Sequence, residues 1–104
     1  TAPVFAALGD ATRLQLVSRL RDEGPLSIAR LTDGADISRQ AVTKHLKSLE
    51  QAGLVRSGRN GRESLWELDP GRFDDARQYL DAIAAHWDQT LNRLKAFVEG
   101  DQDR

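Results

Sequence analysis

The stretch that decides the fold is residues 38–55, SRQAVTKHLKSLEQAGLV. Ser38 can cap the amino end of a helix with its hydroxyl, and Gly53 can end the helix in the left-handed conformation that favours glycine. We therefore predict a helix over residues 38–52. Its apolar positions share one face at ~100° per residue: Val42, Leu46 and Leu49. The opposite face is polar and basic: Gln40, Lys44, Lys47 and Gln51, with Thr43 at its edge.

Length and composition limit the class of protein. A chain of 104 residues is expected to form one domain, and its apolar fraction of 39% is ordinary for a globular protein. No run of about 20 apolar residues and no signal-peptide pattern is visible, so we expect a cytoplasmic protein with no membrane partner. The absence of cysteine excludes disulfides and thiolate metal sites.

Charge is distributed unevenly along the chain. The net charge is −1, but residues 38–62 hold six Lys or Arg and one acid, a local charge of +5. Residues 63–104 hold five Lys or Arg and ten acids, a local charge of −5. A basic patch in an otherwise acidic chain is what local phosphate binding needs, although a chance fluctuation is the simpler alternative. The six basic residues are Arg39, Lys44, Lys47, Arg56, Arg59 and Arg62.

Three shorter helices are predicted before residue 38. Residues 3–8 form a short apolar helix, and Asp10 caps a second helix that runs to about residue 23. Ser27 caps a third helix that ends near residue 32. The arginines of the second helix are interpreted as solvated charges: Arg13, Arg19 and Arg21.

After Gly53 the apolar spacing changes from helical to alternating, which indicates strands. Asn60-Gly61 lies between two such runs and is the strongest short-range signal for a hairpin with a type I′ turn. We predict two strands over residues 54–68 that pack against the helices. Three arginines lie near the tip of this hairpin: Arg56, Arg59 and Arg62.

A long helix is predicted over residues 70–99, because Asp69-Pro70 is a helix start and apolar residues then recur at alternating steps of three and four. The apolar stripe spans ~39 Å at 1.5 Å per residue, which is more than so small a domain can cover. We expect part of it to meet a second copy of the chain together with the first helix; the alternative is one helix folded back over its own core. The predicted dimer contacts are Val4, Phe5, Leu8, Leu80, Ile83, Trp87, Leu91, Leu94 and Val98.

A short helix, a turn, a longer helix with a basic face and a basic hairpin form a winged helix-turn-helix, whose second helix enters the DNA major groove. Three motifs make the likeness specific: ALGDATRL over residues 7–14, SRQAVTKHL over 38–46 and LEQAGLV over 49–55. With them, the chain resembles the ArsR-type (arsenic-repressor-like) winged helix-turn-helix transcription regulators. The resemblance implies a homodimer joined by its first and last helices, which represses by occupying an inverted-repeat operator in double-stranded DNA.

The predicted fold is therefore mainly α with a small β-hairpin, in a single domain over residues 1–99. Residues 38–52 are the predicted recognition helix, 54–68 the wing and 70–99 the dimerisation helix. Residues 100–104 are expected to form a disordered tail.

Metal sensing is not expected. Many members of that family bind metals through a Cys-x-Cys-like motif on the third helix or an Asp/His set on the last helix. Here the third helix reads SIARL over residues 27–31, and the last has a single histidine, His86, with only Asp81 or Asp88 to complete a site. The chain resembles the branch without metal ligands, whose inducers are often undefined. We predict no metal and no cofactor, and an unidentified effector stays open as a partner.

The DNA-binding residues are predicted from their chemistry. Gln40 can pair with the N6/N7 edge of adenine, Arg39 with guanine or a phosphate, and Thr43 with a thymine methyl or a base edge. The lysines of the same helix suit phosphates, and arginines at the hairpin tip suit a narrow minor groove. His45 is either a packed, hydrogen-bonded histidine or a phosphate contact. The predicted set is Ser38, Arg39, Gln40, Thr43, Lys44, His45, Lys47, Arg56, Arg59, Asn60 and Arg62.

Two other functions are weaker interpretations of the same pattern. One is a winged-helix module for protein association, whose basic face meets an acidic partner. The other is an enzyme, which we do not expect because the sequence has no nucleophile–base pair, no Gly-rich phosphate loop and no metal cluster. Trp66 and Trp87 are interpreted as core and interface residues, not as a ligand cage.

Overall fold

The computed structural model describes residues 1–102; Asp103 and Arg104 lie outside the described residues. The architecture is mainly helical with one small antiparallel sheet, which confirms the predicted fold class. The elements in chain order are α1 (Ala2–Leu8), α2 (Ala11–Glu23), β1 (Leu26–Ser27), α3 (Ile28–Thr32), α4 (Arg39–Gln51), β2 (Val55–Asn60), β3 (Glu63–Leu68) and α5 (Pro70–Gln102).

The helices begin where short polar side chains can replace the missing intrahelical acceptors. Asp10 accepts a hydrogen bond from the backbone N–H of Arg13 at 3.0 Å, so it caps α2. Ser27 caps α3 and Ser38 caps α4 in the same way, with oxygen–nitrogen distances of 3.2 and 3.1 Å. All three N-caps are predicted by the sequence, because each residue type satisfies the orphan amides of a first turn.

The core lies between α2, α3, α4 and the sheet. The buried face of α4 is the predicted one, since Val42, Leu46 and Leu49 have no exposed surface. Burial of one aliphatic side chain contributes about 1.5–3 kcal/mol, so this face holds α4 firmly against the rest of the domain. The other core residues are Val4, Ala7, Leu16, Leu20, Leu26, Leu31, Leu54, Val55, Trp66 and Ala76.

The sheet has three strands in the order β1-β3-β2. The hairpin of β2 and β3 is predicted, but β1 is not, because two residues are too few to show a period. Leu26 of β1 pairs with Trp66 of β3, and Ser27 pairs with Leu65. The same Ser27 ends β1 and caps α3, so the sheet fixes where the helix-turn-helix pair begins.

A Schellman motif ends α4. The N–H of Leu54 donates to the carbonyl of Leu49 at 3.0 Å, and the N–H of Gly53 donates to the carbonyl of Glu50 at 2.9 Å. Gly53 has φ +79°, and a Cβ there would lie 2.7 Å from Cγ of Arg72 in the first turn of α5. Only glycine satisfies both the backbone conformation and this close approach.

Helix α5 extends well beyond the core. It has 33 residues, or about 50 Å at 1.5 Å per residue. The radius of gyration is 20.0 Å, with extents of 73 × 26 × 23 Å, whereas a compact chain of this length would have a radius of about 13 Å. Phe73 and Ala76 pack on the core, and large apolar side chains further along α5 are exposed.

The predicted end of α5 is wrong by three residues. The helix continues to Gln102 instead of stopping at residue 99, so residues 100–102 of the predicted tail are helical. Gly100 weakens a helix by only about 1 kcal/mol relative to alanine, and no proline follows to stop it. No helix in residues 1–102 is long and apolar enough to cross a membrane.

We expect Leu46→Ala to lower the free energy of unfolding by about 2–5 kcal/mol, because it opens a cavity under the fully buried face of α4. Urea denaturation followed by circular dichroism measures the change. The matched control is Lys47→Ala, which shortens the exposed neighbour on the same helix and should shift stability by less than about 0.5 kcal/mol. Equal effects of the two substitutions would contradict the assignment of the buried face.

Candidate nucleic-acid interface

The outer face of α4 presents the polar residues that the sequence predicts. Arg39, Gln40, Lys44 and Lys47 are exposed, because the buried face directs the opposite side of the helix to solvent. Seven side chains of this face line one open depression: Ser38, Arg39, Gln40, Ala41, Thr43, Lys44 and Lys47. The structure therefore brings the predicted readers of α4 together in one surface.

Two hydroxyls of this surface are already used by the backbone. Ser38 Oγ accepts from the N–H of Ala41, as the helix cap requires. Thr43 Oγ1 donates to the carbonyl of Arg39 at 2.9 Å. The Thr43 hydroxyl can still accept from an outside donor, and its methyl group remains available, so both predicted contacts of Thr43 stay open.

The hairpin turn lies one residue later than predicted. Asn60 pairs with Glu63 as the last rung of β2 and β3, so the two turn residues are Gly61 and Arg62, not Asn60 and Gly61. Gly61 has φ +67°, and no other residue type has positive φ in the described chain. A two-residue turn with glycine at its first central position is typical of type II′, and not of the predicted type I′.

The three arginines of the wing differ in their electrostatic partners. Arg56 lies opposite Glu67 in the ladder, and its Nε lies 2.9 Å from Glu67 Oε1. Arg59 and Arg62 are exposed near the turn, and neither forms a salt bridge with a residue that the structure describes. The tip therefore carries two arginines outside salt bridges, with Glu63 as the acid beside them, while the charge of Arg56 is offset within the sheet.

His45 lies at the edge of the buried face of α4. Its side chain is 26% exposed and lies against α2, with Nδ1 4.0 Å from Asp10 Oδ1. Arg13 Nη1 is 3.4 Å from the same nitrogen. Of the two interpretations of His45, a packed, hydrogen-bonded histidine agrees with these contacts.

Arg13 and Arg19 link α2 to other helices, which the sequence does not show. Arg13 Nε donates to the carbonyl of Ala7 at 2.6 Å, and Arg19 Nη1 donates to the carbonyl of Leu31 at 3.0 Å. Both acceptors lie in other helices. The spacing of residues cannot predict such a hydrogen bond. An arginine that faces solvent and one that reaches a carbonyl of another helix can occupy the same kind of position on a helical wheel. Their interpretation as solvated charges is wrong.

The side chains proposed for dimer contacts fall into two groups. Val4 is only 3% exposed because its own chain covers it, and Phe5 and Leu8 are half-buried. The ring of Phe5 lies 5.9 Å from that of Tyr79, which joins α1 to α5 within one chain. The α5 residues stay 39–59% exposed: Leu80, Ile83, Trp87, Leu91, Leu94 and Val98.

His86 does not belong to a cluster of metal ligands. No group of three His, Cys, Asp or Glu residues in the described part of the chain is close enough to hold a metal ion. The imidazole of His86 instead lies 6.4 Å from the ring of Trp87, edge to face.

Comparison with known proteins identifies the same helix-turn-helix fold. The family model described as "Helix-turn-helix domain" matches residues 8–58. The HTH-type transcriptional regulator Rv2034 of Mycobacterium tuberculosis is 34% identical over 99 residues, which cover 95% of this chain and 89% of that protein. The HTH-type transcriptional repressor SmtB of the same species is 36% identical over 81 residues, which cover 78% of this chain and 58% of that protein. Among solved structures, the ArsR-like transcriptional regulator from Rhodococcus sp. RHA1 has a TM-score of 0.76 at 36% identity and covers 92% of this chain and 90% of that one.

The fold and the exposed face of α4 define a winged helix-turn-helix module that binds DNA. The chain belongs to the ArsR-type family of transcription regulators, and it is a DNA-binding transcription regulator. This confirms the resemblance carried by the three sequence motifs. It also disfavours a role purely in protein association.

The cap of α2 gives the fold a pH dependence. The hydrogen bond from the Arg13 N–H, followed by the nearby charges of Arg13 and His45, holds the pKa of Asp10 below its ordinary value of 3.8, although desolvation opposes the shift. A folded-state pKa below the unfolded value stabilises the fold above the unfolded pKa, and this stabilisation is lost as the pH falls through the folded pKa.

We therefore expect the unfolding free energy of the wild type to fall more steeply than that of Asp10→Asn as the pH drops below about 5, since asparagine keeps the cap but does not titrate. Urea denaturation at a series of pH values measures both curves. Parallel curves would contradict a contribution of the Asp10 carboxylate.

Proposed function

We propose that the protein is a homodimeric repressor that occupies an inverted-repeat operator through α4 and the wing of both copies. Metal binding is not part of this proposal. The observation that carries it is the outer face of α4, where a depression lined by arginine, glutamine, threonine and lysine side chains lies opposite a fully buried apolar face. A helix held in this way presents a fixed set of side chains to a groove of DNA.

Different side chains of this surface have different roles. Gln40 near the start of α4 pairs with adenine, and the methyl group of Thr43 contacts a thymine methyl. Lys44 and Lys47 contact phosphates, because a flexible point charge positions the protein without reading sequence. Arg59 and Arg62 at the wing tip contact the adjacent backbone or minor groove, since they lie outside the salt bridges of the described chain. Arg56 contributes less, because Glu67 offsets its charge.

Dimerisation is supported by the apolar side chains of α5 that the chain leaves uncovered. From Leu80 to Val98 they follow one stripe of about 27 Å at 1.5 Å per residue. A soluble monomer rarely exposes a contiguous apolar surface of this extent. A second copy that packs against the same stripe buries both surfaces and sets two α4 helices on successive turns of DNA, roughly 34–36 Å apart.

Repression follows from occupancy. A dimer bound across an operator blocks access of other proteins to the same DNA. The relative SmtB, at 36% identity, is named as a transcriptional repressor, and this supports the direction of the proposed effect.

The test begins with DNA selected from random sequence by the purified protein, which should yield an inverted repeat. On the selected site we expect Gln40→Ala and Thr43→Ala to relax sequence preference by about 1–3 kcal/mol per base contact. Lys44→Ala should weaken binding to every sequence and reduce the slope of log K against log salt by about one unit.

Lys95→Ala is the matched control for Lys44→Ala, because Lys95 is an exposed lysine of α5 whose Nζ lies 3.8 Å from Glu99. It should leave the salt slope unchanged. Selection of no repeat, or indistinguishable effects of Gln40→Ala and Lys44→Ala on sequence preference, would refute the proposed readers.

The dimer has a separate test. Leu94→Glu places a charge in the exposed stripe, so it should dissociate the dimer in analytical ultracentrifugation and abolish cooperative operator binding. Gln89→Glu adds the same charge about 140° away on the helix, outside the stripe, and should leave the dimer intact. A Leu94→Glu variant that stays dimeric and binds the operator tightly would place the interface elsewhere.

A further inference from the structure

We propose that Arg13 is a positioning residue for DNA binding, because its guanidinium fixes the recognition helix α4 relative to α1. The inference rests on the proposed function, since its effect is measured on operator binding. Arg13 itself lies on α2, outside the surface of α4 and the wing that contacts DNA.

One side of the Arg13 guanidinium holds the end of α1. Nε donates to the carbonyl of Ala7 at 2.6 Å, and Nη2 donates to the carbonyl of Ala6 at 3.5 Å. Both carbonyls belong to the last turn of α1, where the helix dipole favours a cation; the Ala6 carbonyl also accepts from the N–H of Gly9 at 3.2 Å. Arg13 therefore completes the carboxyl end of a helix on which it does not lie.

The other side of the same guanidinium faces α4. Nη1 donates to Nδ1 of His45 at 3.4 Å. Because a guanidinium only donates, the imidazole must accept through Nδ1 in this contact. Asp10 holds Arg13 from the start of α2, since its carboxylate accepts from the Arg13 N–H at 3.0 Å. The three side chains thus join α1, α2 and α4 at one point.

Val4 and Ala7 of α1 belong to the same core as Leu46 and Leu49 of α4. The packing of the two helices is incomplete, because an open hollow lies beside this contact, lined by Pro3, Ala6, Ala7, Arg13, Ser48, Gln51 and Ala52. A helix of seven residues is too short to be stable without such partners. Arg13 supplies a directional contact where shape complementarity is incomplete.

The position of α1 matters because it also contacts the long helix. The ring of Phe5 lies 5.9 Å from that of Tyr79 on α5. Arg13 consequently lies between α4 and the part of the molecule proposed to meet a second copy. If this contact is lost, α4 keeps its buried face and its end at Gly53, but it is no longer tied to the last turn of α1, and the two recognition helices of a dimer are held less accurately on their half-sites.

The experiment compares Arg13→Gln with Arg21→Gln. Arg21 lies on the same helix, pairs with its neighbour Asp22 at 2.7 Å and loses the same charge on substitution. We expect Arg13→Gln to weaken operator binding about tenfold without changing the salt slope or the binding of random DNA, and Arg21→Gln to stay within about twofold of the wild type. Circular dichroism and sedimentation confirm that each variant is folded and dimeric.

Two further measurements separate positioning from a loss of stability. Arg13→Lys should recover part of the affinity, because a lysine reaches the carbonyls of α1 but cannot bridge to His45 at the same time. In a double-mutant cycle on operator binding, adding His45→Ala to Arg13→Gln should reduce the affinity little further, since each substitution breaks the same contact between Arg13 and His45. If Arg13→Gln does not fold, Arg13→Lys and His45→Ala provide the same comparison.

Three results would overturn the proposal. The first is that Arg13→Gln binds the operator within twofold of the wild type. The second is that its salt slope falls by about one unit, which would show a direct phosphate contact. The third is that the losses of affinity in the double-mutant cycle are fully additive. Failure of the proposed function is distinguishable, because the wild type itself would then show no preference for an inverted repeat.

Discussion

The burial of one face of α4 is the constraint on which the rest of the structure depends. Val42, Leu46 and Leu49 have no exposed surface, so the helix can neither rotate nor slide without opening a cavity. The opposite side of α4, with Arg39, Gln40, Lys44 and Lys47, therefore faces solvent, and the Schellman motif at Gly53 sets the direction in which the wing begins. The DNA-binding face of α4 is therefore fixed by the residues that its opposite face buries in the core.

Charge is arranged to favour one approach to a polyanion. The chain as a whole carries −1, yet residues 38–68, which hold α4 and the wing, have six Lys or Arg and three acids and carry +3. Helix α5 holds six acids and four Lys or Arg, so the helix on which a second copy is proposed to bind carries a weakly negative charge and does not attract phosphates. The pairing of Arg56 with Glu67 limits the positive field at the base of the wing and leaves it strongest near Arg59 and Arg62.

Local signals predict most of the fold, and contacts between distant residues explain what they miss. The caps at Asp10, Ser27 and Ser38 and the stripe of α4 follow from rules that act within one turn of helix. The hairpin is predicted, but its turn moves by one residue because the pairing of Asn60 with Glu63 depends on the whole ladder. Strand β1 exists only through its pairing with β3. In the sequence Arg13 and Arg19 look solvated, because their acceptors lie in other helices. The apolar residues of α5 from Leu80 to Val98 stay exposed in the single chain, and no local pattern tells which surface would cover them.

Close contact at Gly53 links the two helices on which a dimer would rely. Arg72 in the first turn of α5 lies so near this glycine that no side chain fits between them, and α4 therefore ends directly against the start of the long helix. In a dimer built on α5, the carboxyl end of each recognition helix would lie beside the long helix of its own chain. An added base pair between half-sites turns one of them by about 34° around the duplex. The dimer would have to bend or twist to follow that rotation, so the spacing of the two half-sites becomes part of the recognised signal.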